Sequence, residues 1–241
     1  MLIIKRTKII IKSSKLFYVV AFCREVFQYF KRSDDNSETG ESKLIGRYIS
    51  KNAQNYIDVG SGRPITNSNT YELYKLGWAG ILVDPFALNI SLTRFFRKRD
   101  SAINGIVSSK KVEAVFHFFE PYEYSTYDPD SFRLLKEHKF AIYLYSKAIL
   151  PIALSELQTL QAKDYIVSID VEGSEFDVID SADLSDSKLL LICIETDQSG
   201  VSTDSRVRKR LLDFGFFEIA NTSKSTIFLN SKRYDSLGVL I

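Results

Sequence analysis

The stretch Tyr56-Ile57-Asp58-Val59-Gly60-Ser61-Gly62 decides the fold class of this chain. An apolar run with an embedded carboxylate, followed by two closely spaced glycines, predicts a buried strand that leads into a tight turn. Glycine in such a turn lets backbone amides approach a ligand closely. A dinucleotide-binding loop would need a third glycine where this chain has Ile65. The pattern therefore disfavours pyrophosphate binding, and a purely structural turn is the alternative interpretation.

Short apolar runs alternate with helical periodicity around this turn. Strands are predicted over residues 56–59, 80–83, 103–107, 165–170 and 189–195, and helices over residues 72–76 and 175–181. This alternation predicts a parallel sheet with helices on both faces. Residues 216–220 and 226–230 are two further strand-like runs, and the short polar segment between them predicts an antiparallel hairpin. The predicted fold class is α/β, a doubly wound, mostly parallel seven-stranded sheet with a C-terminal antiparallel hairpin.

Asp84 ends the second predicted strand, in Gly80-Ile-Leu-Val-Asp84-Pro85. A carboxylate at this position suits both hydroxyls of a ribose. A strand-ending Asp-Pro turn is the structural alternative.

Three carboxylates lie close together after the fourth predicted strand, in Ser168-Ile-Asp170-Val-Glu172-Gly-Ser-Glu175. Crowded carboxylates point to water, bind cations or take up protons. Asp170 and Glu172 are therefore candidates for a general base or for metal ligands, and Glu195, at the end of the fifth strand, is placed to join Asp170. We interpret Glu175 as a first-turn acid that favours the helix dipole.

These motifs, in this order, resemble the signature blocks of the FkbM methyltransferase family. The matching blocks are Asp58-Val-Gly60-Ser-Gly62, Ser68-Asn-Thr-Tyr71, Gly77-Trp78, Val83-Asp84-Pro85, Ile169-Asp170-Val-Glu172-Gly-Ser-Glu175 and Ile194-Glu195. The resemblance covers about residues 53–230 and implies a class I methyltransferase fold that binds S-adenosylmethionine. A glycine loop with an acid suits this cofactor, which carries no phosphate. Pro64 departs from the pattern, because many methyltransferases have a glycine there.

The resemblance also implies roles for individual residues. Asp58, Gly60, Ser61 and Gly62 would hold the methionine end of the cofactor, Asp84 the ribose, and Asn104 with Ile106 the adenine. Asp170 and Glu172 would face the transferred methyl group.

The predicted activity is transfer of a methyl group from S-adenosylmethionine to a hydroxyl of a small molecule, either a glycan or a secondary metabolite. A hydroxyl is protonated at neutral pH, so its attack needs a base or a divalent cation such as Mg²⁺. The catalytic candidates are Asp170, Glu172 and Glu195. They are also the candidate metal ligands, although the sequence indicates no firm metal site. The alternative is a non-catalytic cofactor-binding or membrane-associated module with the same fold.

Charge and cysteine content restrict the partners and the compartment. A net charge of +2 gives no reason to expect nucleic acid as a partner. Cys193 lies in an apolar run, as a buried free thiol does, and this indicates a reducing, cytoplasmic compartment.

Residues 1–42 are predicted to form a basic helical extension and a polar linker, and residues 43–241 the catalytic domain. The first 32 residues carry basic side chains around the apolar run 16–22, namely Lys5, Arg6, Lys8, Lys12, Lys15, Arg24, Lys31 and Arg32. That run is too short to span a membrane. Residues 1–32 therefore either contact an anionic membrane surface peripherally, at its inner face, or form a helix docked on the domain with a solvated basic face.

Three further segments have weaker interpretations. The aromatic segment 116–132 lies between the third and fourth predicted strands and is either ordinary core or a lid over the acceptor. His117 and His138 are predicted to be structural. The basic runs 94–99 and 206–210 are predicted to be solvated helix faces.

Overall fold

A seven-stranded sheet forms the centre of the protein, in a computed structural model that describes residues 15–31, 33–49, 55–138, 141–195 and 205–236. The strands of the described residues are β1 (Asn55–Val59), β2 (Ala79–Asp84), β3 (Ser101–Asn104), β4 (Ala114–Glu120), β5 (Ile142–Ile149), β6 (Tyr165–Ile169), β7 (Leu189–Glu195), β8 (Phe216–Asn221) and β9 (Ser225–Asn230). The sheet order is β3-β2-β1-β6-β7-β9-β8. The first five of these strands are parallel, and β9 is antiparallel to both β7 and β8. The predicted α/β fold, a mostly parallel seven-stranded sheet with a C-terminal antiparallel hairpin, is confirmed.

The helices of the described residues cover both faces of this sheet. They are α1 (Lys15–Lys31), α2 (Glu41–Tyr48), α3 (Tyr71–Lys75), α4 (Ala87–Phe96), α5 (Pro129–His138), α6 (Leu154–Thr159), α7 (Glu175–Asp180) and α8 (Ser205–Asp213). Successive residues of β1 point to opposite faces, so Ile57 joins one core with α6, α7 and α8, and Tyr56 joins the other with α2 and α3. Burial on both faces explains why β6 and β7 are almost continuously apolar.

The register of the parallel strands brings the predicted motifs to one edge of the sheet. Val59 at the end of β1 pairs with Val83 in β2 and with Ile169 in β6, and Ile169 pairs with Ile194 in β7. The chain continues from these residues into Gly60, Asp84, Asp170 and Glu195. These four positions therefore converge, because parallel strands end at the same edge.

The third strand lies earlier than predicted. It spans Ser101–Asn104, whereas the apolar pattern indicated residues 103–107. The chain leaves the sheet at Gly105, whose amide donates to the carbonyl of Asp84. Val107 forms a parallel bridge with Ile152 instead. Ile106 and Val107 are apolar because they are buried beside the sheet and not because they extend β3.

A second, two-stranded antiparallel sheet of β4 and β5 was not predicted. The aromatic segment 116–132 runs through β4, a short 3-10 helix (Tyr122–Tyr124) and the start of α5. Phe116 and Phe118 on β4 pack with Phe86 and Tyr127 in a third apolar cluster. The aromatic residues are therefore both core and, as described below, one wall of a cleft.

The N-terminal segment contacts the rest of the protein. Phe22 of α1 packs edge-on against Phe95 of α4, with ring centroids 5.0 Å apart. Residues predicted as a linker include Asn36, which is buried and whose carbonyl accepts a hydrogen bond from Ser68 N at 3.1 Å. The domain boundary near residue 43 stays a prediction, and residues 1–14 lie outside the described part of the chain. No helix of the described residues is long and apolar enough to cross a bilayer.

The basic run 94–99 is not a solvated face throughout, which corrects the prediction. Arg97 is fully buried and forms an ion pair with Asp100 at 2.6 Å. The run 206–210 fits the prediction better, because Arg206 and Arg208 are exposed.

Candidate functional site

A cleft of about 240 Å³ opens at the edge of the sheet where β1, β2, β6 and β7 end. Its lining includes the glycine turn, the Asp84 loop, the carboxylates after β6 and β7, and aromatic side chains near β4. The convergence follows from the strand register and agrees with the general placement of ligands in doubly wound sheets.

Gly60 is required by a close approach between two strands. Its φ is +75°, and a Cβ added there would lie 1.7 Å from the carbonyl oxygen of Asp170. The amides of Gly60 and Ser61 both donate to the carbonyl of Val83, at 2.9 and 3.2 Å. The turn after β1 is thus held between the ends of β2 and β6, and the close packing places it directly against the Asp170 segment.

Asp84 is buried and connects the glycine turn to the loop after β2. Its carboxylate accepts hydrogen bonds from the amides of Gly62 at 2.9 Å and Phe86 at 2.7 Å, and from the side chain of Asn89 at 3.1 Å. Burial nevertheless raises the pKa of Asp84 to about 7, because desolvation outweighs these bonds. Asp84 lines the cleft, as the ribose role requires.

Asp58 lies beneath the glycine turn and is buried. It accepts a 2.6 Å hydrogen bond from Thr70 Oγ1, and burial raises its pKa to about 6. Asp58 is not among the described residues that line the cleft. Its position therefore suits support of the turn better than direct contact with a ligand.

The structure brings together Asp170, Glu172 and Glu195, which we call the carboxylate cluster. One oxygen from each lies within 4.8 Å of the others, and all three side chains are partly exposed. Burial raises the pKa of Glu195, and repulsion from Asp170 raises it further. Burial also raises the pKa of Asp170, while a hydrogen bond with Glu195 opposes that rise. Asp170 and Glu195 are therefore linked by a hydrogen bond, and both hold a proton more readily than ordinary carboxyl groups do.

Glu172 has a strained backbone. Its φ of 54° lies in the left-handed region, where a residue with a side chain is uncommon, and Gly173 follows with a φ of 98°. Such strain is concentrated at functional sites. The turn keeps Glu172 beside Asp170 instead of extending it into α7.

Ser61 offers an unused polar atom at the site. Its hydroxyl is buried and has no hydrogen-bond partner among the described residues, although Ser61 lines the cleft. Buried hydroxyls are normally paired. A polar group of a bound ligand would satisfy Ser61, which supports the glycine turn as a ligand-binding element.

Aromatic and apolar side chains form another wall of the cleft. Phe86, Ile106, Phe116, Tyr122 and Tyr127 line the cleft. Such surfaces suit a planar base or the apolar face of a sugar ring. Asn104 does not line the cleft, because its amide donates to the carbonyl of Asp84 at 3.0 Å. Of the two residues assigned to adenine, the structure therefore places Ile106 at the cleft and Asn104 behind it.

A carboxylate from α1 accepts hydrogen bonds from the backbone amides at which a dinucleotide-binding loop would hold phosphate. Glu25 accepts hydrogen bonds from the amides of Ile65 at 3.1 Å and Thr66 at 3.2 Å, and lies 3.6 Å from Arg63. Glu25 is fully buried. These donors are used within the protein, which is a second reason, beside the missing glycine, to disfavour pyrophosphate at this turn.

Several lining residues lie outside the predicted site motifs. Glu38 and Lys224 form an ion pair of 2.6 Å and belong to the lining, as do Ser125 and Tyr127. They come from segments that the motifs do not include. The aromatic pattern was the one signal that pointed to Tyr127. His117, which was predicted to be structural, stacks on Phe132 with ring centroids 3.6 Å apart, whereas the side chain of His138 lies outside the described part.

Comparison with known proteins yields structural similarity alone. No protein-family model matches the sequence, and no curated protein matches it. Among solved structures, a TehB-like SAM-dependent methyltransferase from Corynebacterium glutamicum is 10% identical, with a TM-score of 0.47 over 90% of this chain and 100% of that one. Monomeric WbdD is 11% identical, with a TM-score of 0.38 over 78% of this chain and 38% of that one. The N-terminal domain of human METTL16 in complex with SAH is 11% identical, with a TM-score of 0.37 over 78% and 65% of the two chains.

Proposed function

We propose that this protein is an S-adenosylmethionine-dependent methyltransferase of the FkbM type that methylates a hydroxyl group. One observation carries the proposal. The glycine turn, Asp84 and the carboxylate cluster, which are far apart in sequence, line a single cleft at the carboxyl edge of a sheet with class I methyltransferase topology. The acceptor we propose is a glycan or a secondary metabolite.

The cofactor side of the cleft would be formed by the glycine turn, Asp84 and the aromatic wall. The unpaired Ser61 hydroxyl and the positive φ of Gly60 and Gly62 fit a ligand held against backbone amides. Asp84 would accept from the ribose hydroxyls, and Ile106 and Phe86 would cover the base. S-adenosylmethionine would supply an electrophilic methyl group.

The acceptor side would be formed by the carboxylate cluster. Asp170 would accept the proton of the hydroxyl, because its hydrogen bond with Glu195 favours the ionised form of Asp170. A base whose pKa lies nearer to neutrality than that of an ordinary carboxylate is well matched to this task. Glu195 would hold Asp170 in position through their hydrogen bond, and Glu172 would lie within 4.8 Å of both.

A divalent cation such as Mg²⁺ is the alternative use of the same three residues. Partly exposed carboxylate oxygens are the ligands that this ion prefers, and the spacing within the cluster fits a shared ion. In that case Asp170, Glu172 and Glu195 would hold the cation, which would stabilise the developing alkoxide.

Calorimetry and mass spectrometry test the proposal together. We expect S-adenosylmethionine to bind and NAD not to bind, and Asp84→Ala to weaken binding about 10- to 150-fold, as expected for the loss of a carboxylate hydrogen-bonded to a ligand. Asp130→Ala, at an exposed position of α5, is the control and should change nothing. Extracts incubated with the cofactor and the protein should contain an acceptor heavier by one methyl group.

The outcomes separate the alternatives. Binding without a methylated product would support the non-catalytic module, and tight NAD binding would overturn the assignment of the cofactor. Loss of activity with a chelator, restored by Mg²⁺, would assign the carboxylate cluster to a metal. Activity that survives chelation would leave Asp170 as the base.

A further inference from the structure

The outward face of α1 carries large apolar side chains that no described residue covers. Phe27 is 66% exposed and Phe30 is 74% exposed, and Val19 and Val20 are also more than half exposed. Val20, Cys23, Phe27 and Phe30 are spaced by three or four residues, so they form one stripe along the helix. A soluble helix normally directs such a stripe into the core, and here it points away from it.

The opposite face of α1 fixes this orientation. Phe22 packs against Phe95 and Phe96 of α4, with ring centroids 5.0 and 5.5 Å apart. On the same side, fully buried Glu25 accepts hydrogen bonds from the Ile65 and Thr66 amides. Turning the apolar stripe inward would break these contacts and leave the Glu25 carboxylate without its donors. The exposed stripe is thus a fixed feature of the domain surface.

The sequence that leads into the stripe is basic. From Met1 to Arg24 the sequence contains six basic residues and no acidic residue. The first acidic residue, Glu25, is buried and paired with Arg63, so it adds no negative charge to the surface. Arg24 and Lys31 are exposed on α1 beside the stripe. An apolar stripe with basic neighbours is complementary to an anionic, partly apolar surface.

We propose that α1 is an interfacial helix that docks the domain on an anionic lipid bilayer. The stripe from Val20 to Phe30 enters the boundary between headgroups and acyl chains, and the basic residues contact the anionic headgroups. A second copy of this chain is a poorer occupant of the face, because pairing two such helices would bring like charges together. The inference does not depend on the proposed methyltransferase activity.

Docking through α1 would place the cleft near the membrane. Arg63 and Thr66 line the cleft, and both contact Glu25 of α1. The helix therefore lies next to the ligand-binding turn and not on a remote part of the surface. A membrane-bound protein would have its cleft close to molecules held at the bilayer surface.

Vesicle flotation with the full chain tests the proposal. We expect the protein to float with vesicles that contain phosphatidylglycerol and phosphatidylcholine, to bind pure phosphatidylcholine at least tenfold more weakly, and to be released by high salt. The double variant Phe27→Ser/Phe30→Ser should bind anionic vesicles at least tenfold more weakly, because binding no longer transfers two large apolar side chains from water into the bilayer. Leu160→Ser removes a similarly exposed apolar side chain outside α1 and should bind like the unchanged protein.

A second variant keeps the test independent of the apolar substitutions. Arg24→Glu/Lys31→Glu should also weaken anionic-vesicle binding severalfold while leaving the circular dichroism spectrum unchanged. The proposal is overturned if the unchanged protein does not float with anionic vesicles, or if the Phe27/Phe30 variant floats as well as the Leu160 control. Light scattering that shows a dimer abolished by Phe27→Ser/Phe30→Ser, with no vesicle binding, would assign the stripe to a second copy of the chain.

Discussion

Two groups of polar and charged residues lie beside the central sheet and differ in how their charges are balanced. The arginine cluster comprises Arg97, Asp100, Tyr56, Thr70 and Asp58. Arg97 donates to Asp100 at 2.6 Å, to Tyr56 at 2.7 Å and to Thr70 at 3.0 Å, and Thr70 donates on to Asp58 at 2.6 Å. The carboxylate cluster consists of three acids, and the pKa values of two of them, Asp170 and Glu195, are raised.

The difference distinguishes a structural use of charge from a functional one. The arginine cluster is sealed, since the side chains of Arg97 and Asp100 are fully buried and each hydrogen-bonds within the protein. The carboxylate cluster is partly open to the cleft and holds like charges together. Like charges in contact are costly unless a proton, a cation or a substrate compensates them. We therefore infer that the arginine cluster supports the fold and the carboxylate cluster acts on a ligand.

The largest effect is expected for Asp170→Asn. This substitution should lower turnover by about 10² to 10⁴, because the Asn side chain cannot accept the proton. Cofactor affinity should change little, because Asn keeps the size of the side chain. The free energy of unfolding at pH 8 should stay the same or rise, because one of the repelling charges is lost. Steady-state kinetics and urea unfolding on the same variant check both parts. Unchanged turnover would remove Asp170 from the reaction and leave the segment as a strand-to-helix turn.

Arg97→Met should destabilise the protein by about 3 to 5 kcal/mol, because Asp100 would remain as a buried charge without its partner. Arg133→Met is the matched control. Arg133 also pairs with an aspartate three residues away, Asp130, but both side chains are mostly exposed, so the expected loss is about 0 to 1 kcal/mol. Urea unfolding of the two variants gives the comparison directly. Equal losses would contradict a structural role for the arginine cluster.

Stability should fall as the pH rises from about 4 to about 7.5. Asp58 and Asp84 have folded pKa values of about 6 and about 7, raised from an ordinary value of 3.8. A carboxyl with a raised folded pKa binds more protons in the folded state, so its stabilisation is complete below the unfolded pKa and is lost as the pH passes the folded pKa. Asp84→Asn should reduce this decline by on the order of 3 kcal/mol.

Glu41→Gln is the control for the pH dependence. Burial of Glu41 acts to raise its pKa, but hydrogen bonds from Thr39 and Thr222 outweigh burial, and the pKa lies below the ordinary 4.5. Glu41 therefore contributes stability that is present above the unfolded pKa and is lost at more acidic pH. The decline between pH 5.5 and 7.5 should persist in this variant. A flat profile in the unchanged protein would show that Asp84 ionises without cost in the folded state.

The sequence determined the parts of the fold that depend on local pattern. The strands of the parallel sheet, the glycine turn and the C-terminal hairpin follow from short apolar runs that end in turn residues or carboxylates. All strands of the central sheet but β3 lie within one residue of the predicted bounds. Asp84, Asp170 and Glu195 were singled out because each stands at the end of such a run. Parallel topology then places all strand ends at one edge, so the cleft itself could be predicted.

Only the tertiary structure decided what each charged residue faces. Arg97 lies in a basic run that resembles a solvated helix face, but it is buried and donates to Tyr56 and Thr70, which are 41 and 27 residues away in the sequence. Glu25 lies in a basic segment, and its partners are amides 40 residues further along the chain. The two-stranded sheet of β4 and β5 pairs residues about 30 apart, which no local signal indicates. Local periodicity indicates which face of a helix or strand is apolar. The hydrogen-bond partners of a charged residue, and the balance of its charge, depend on contacts between segments that come together only when the chain folds.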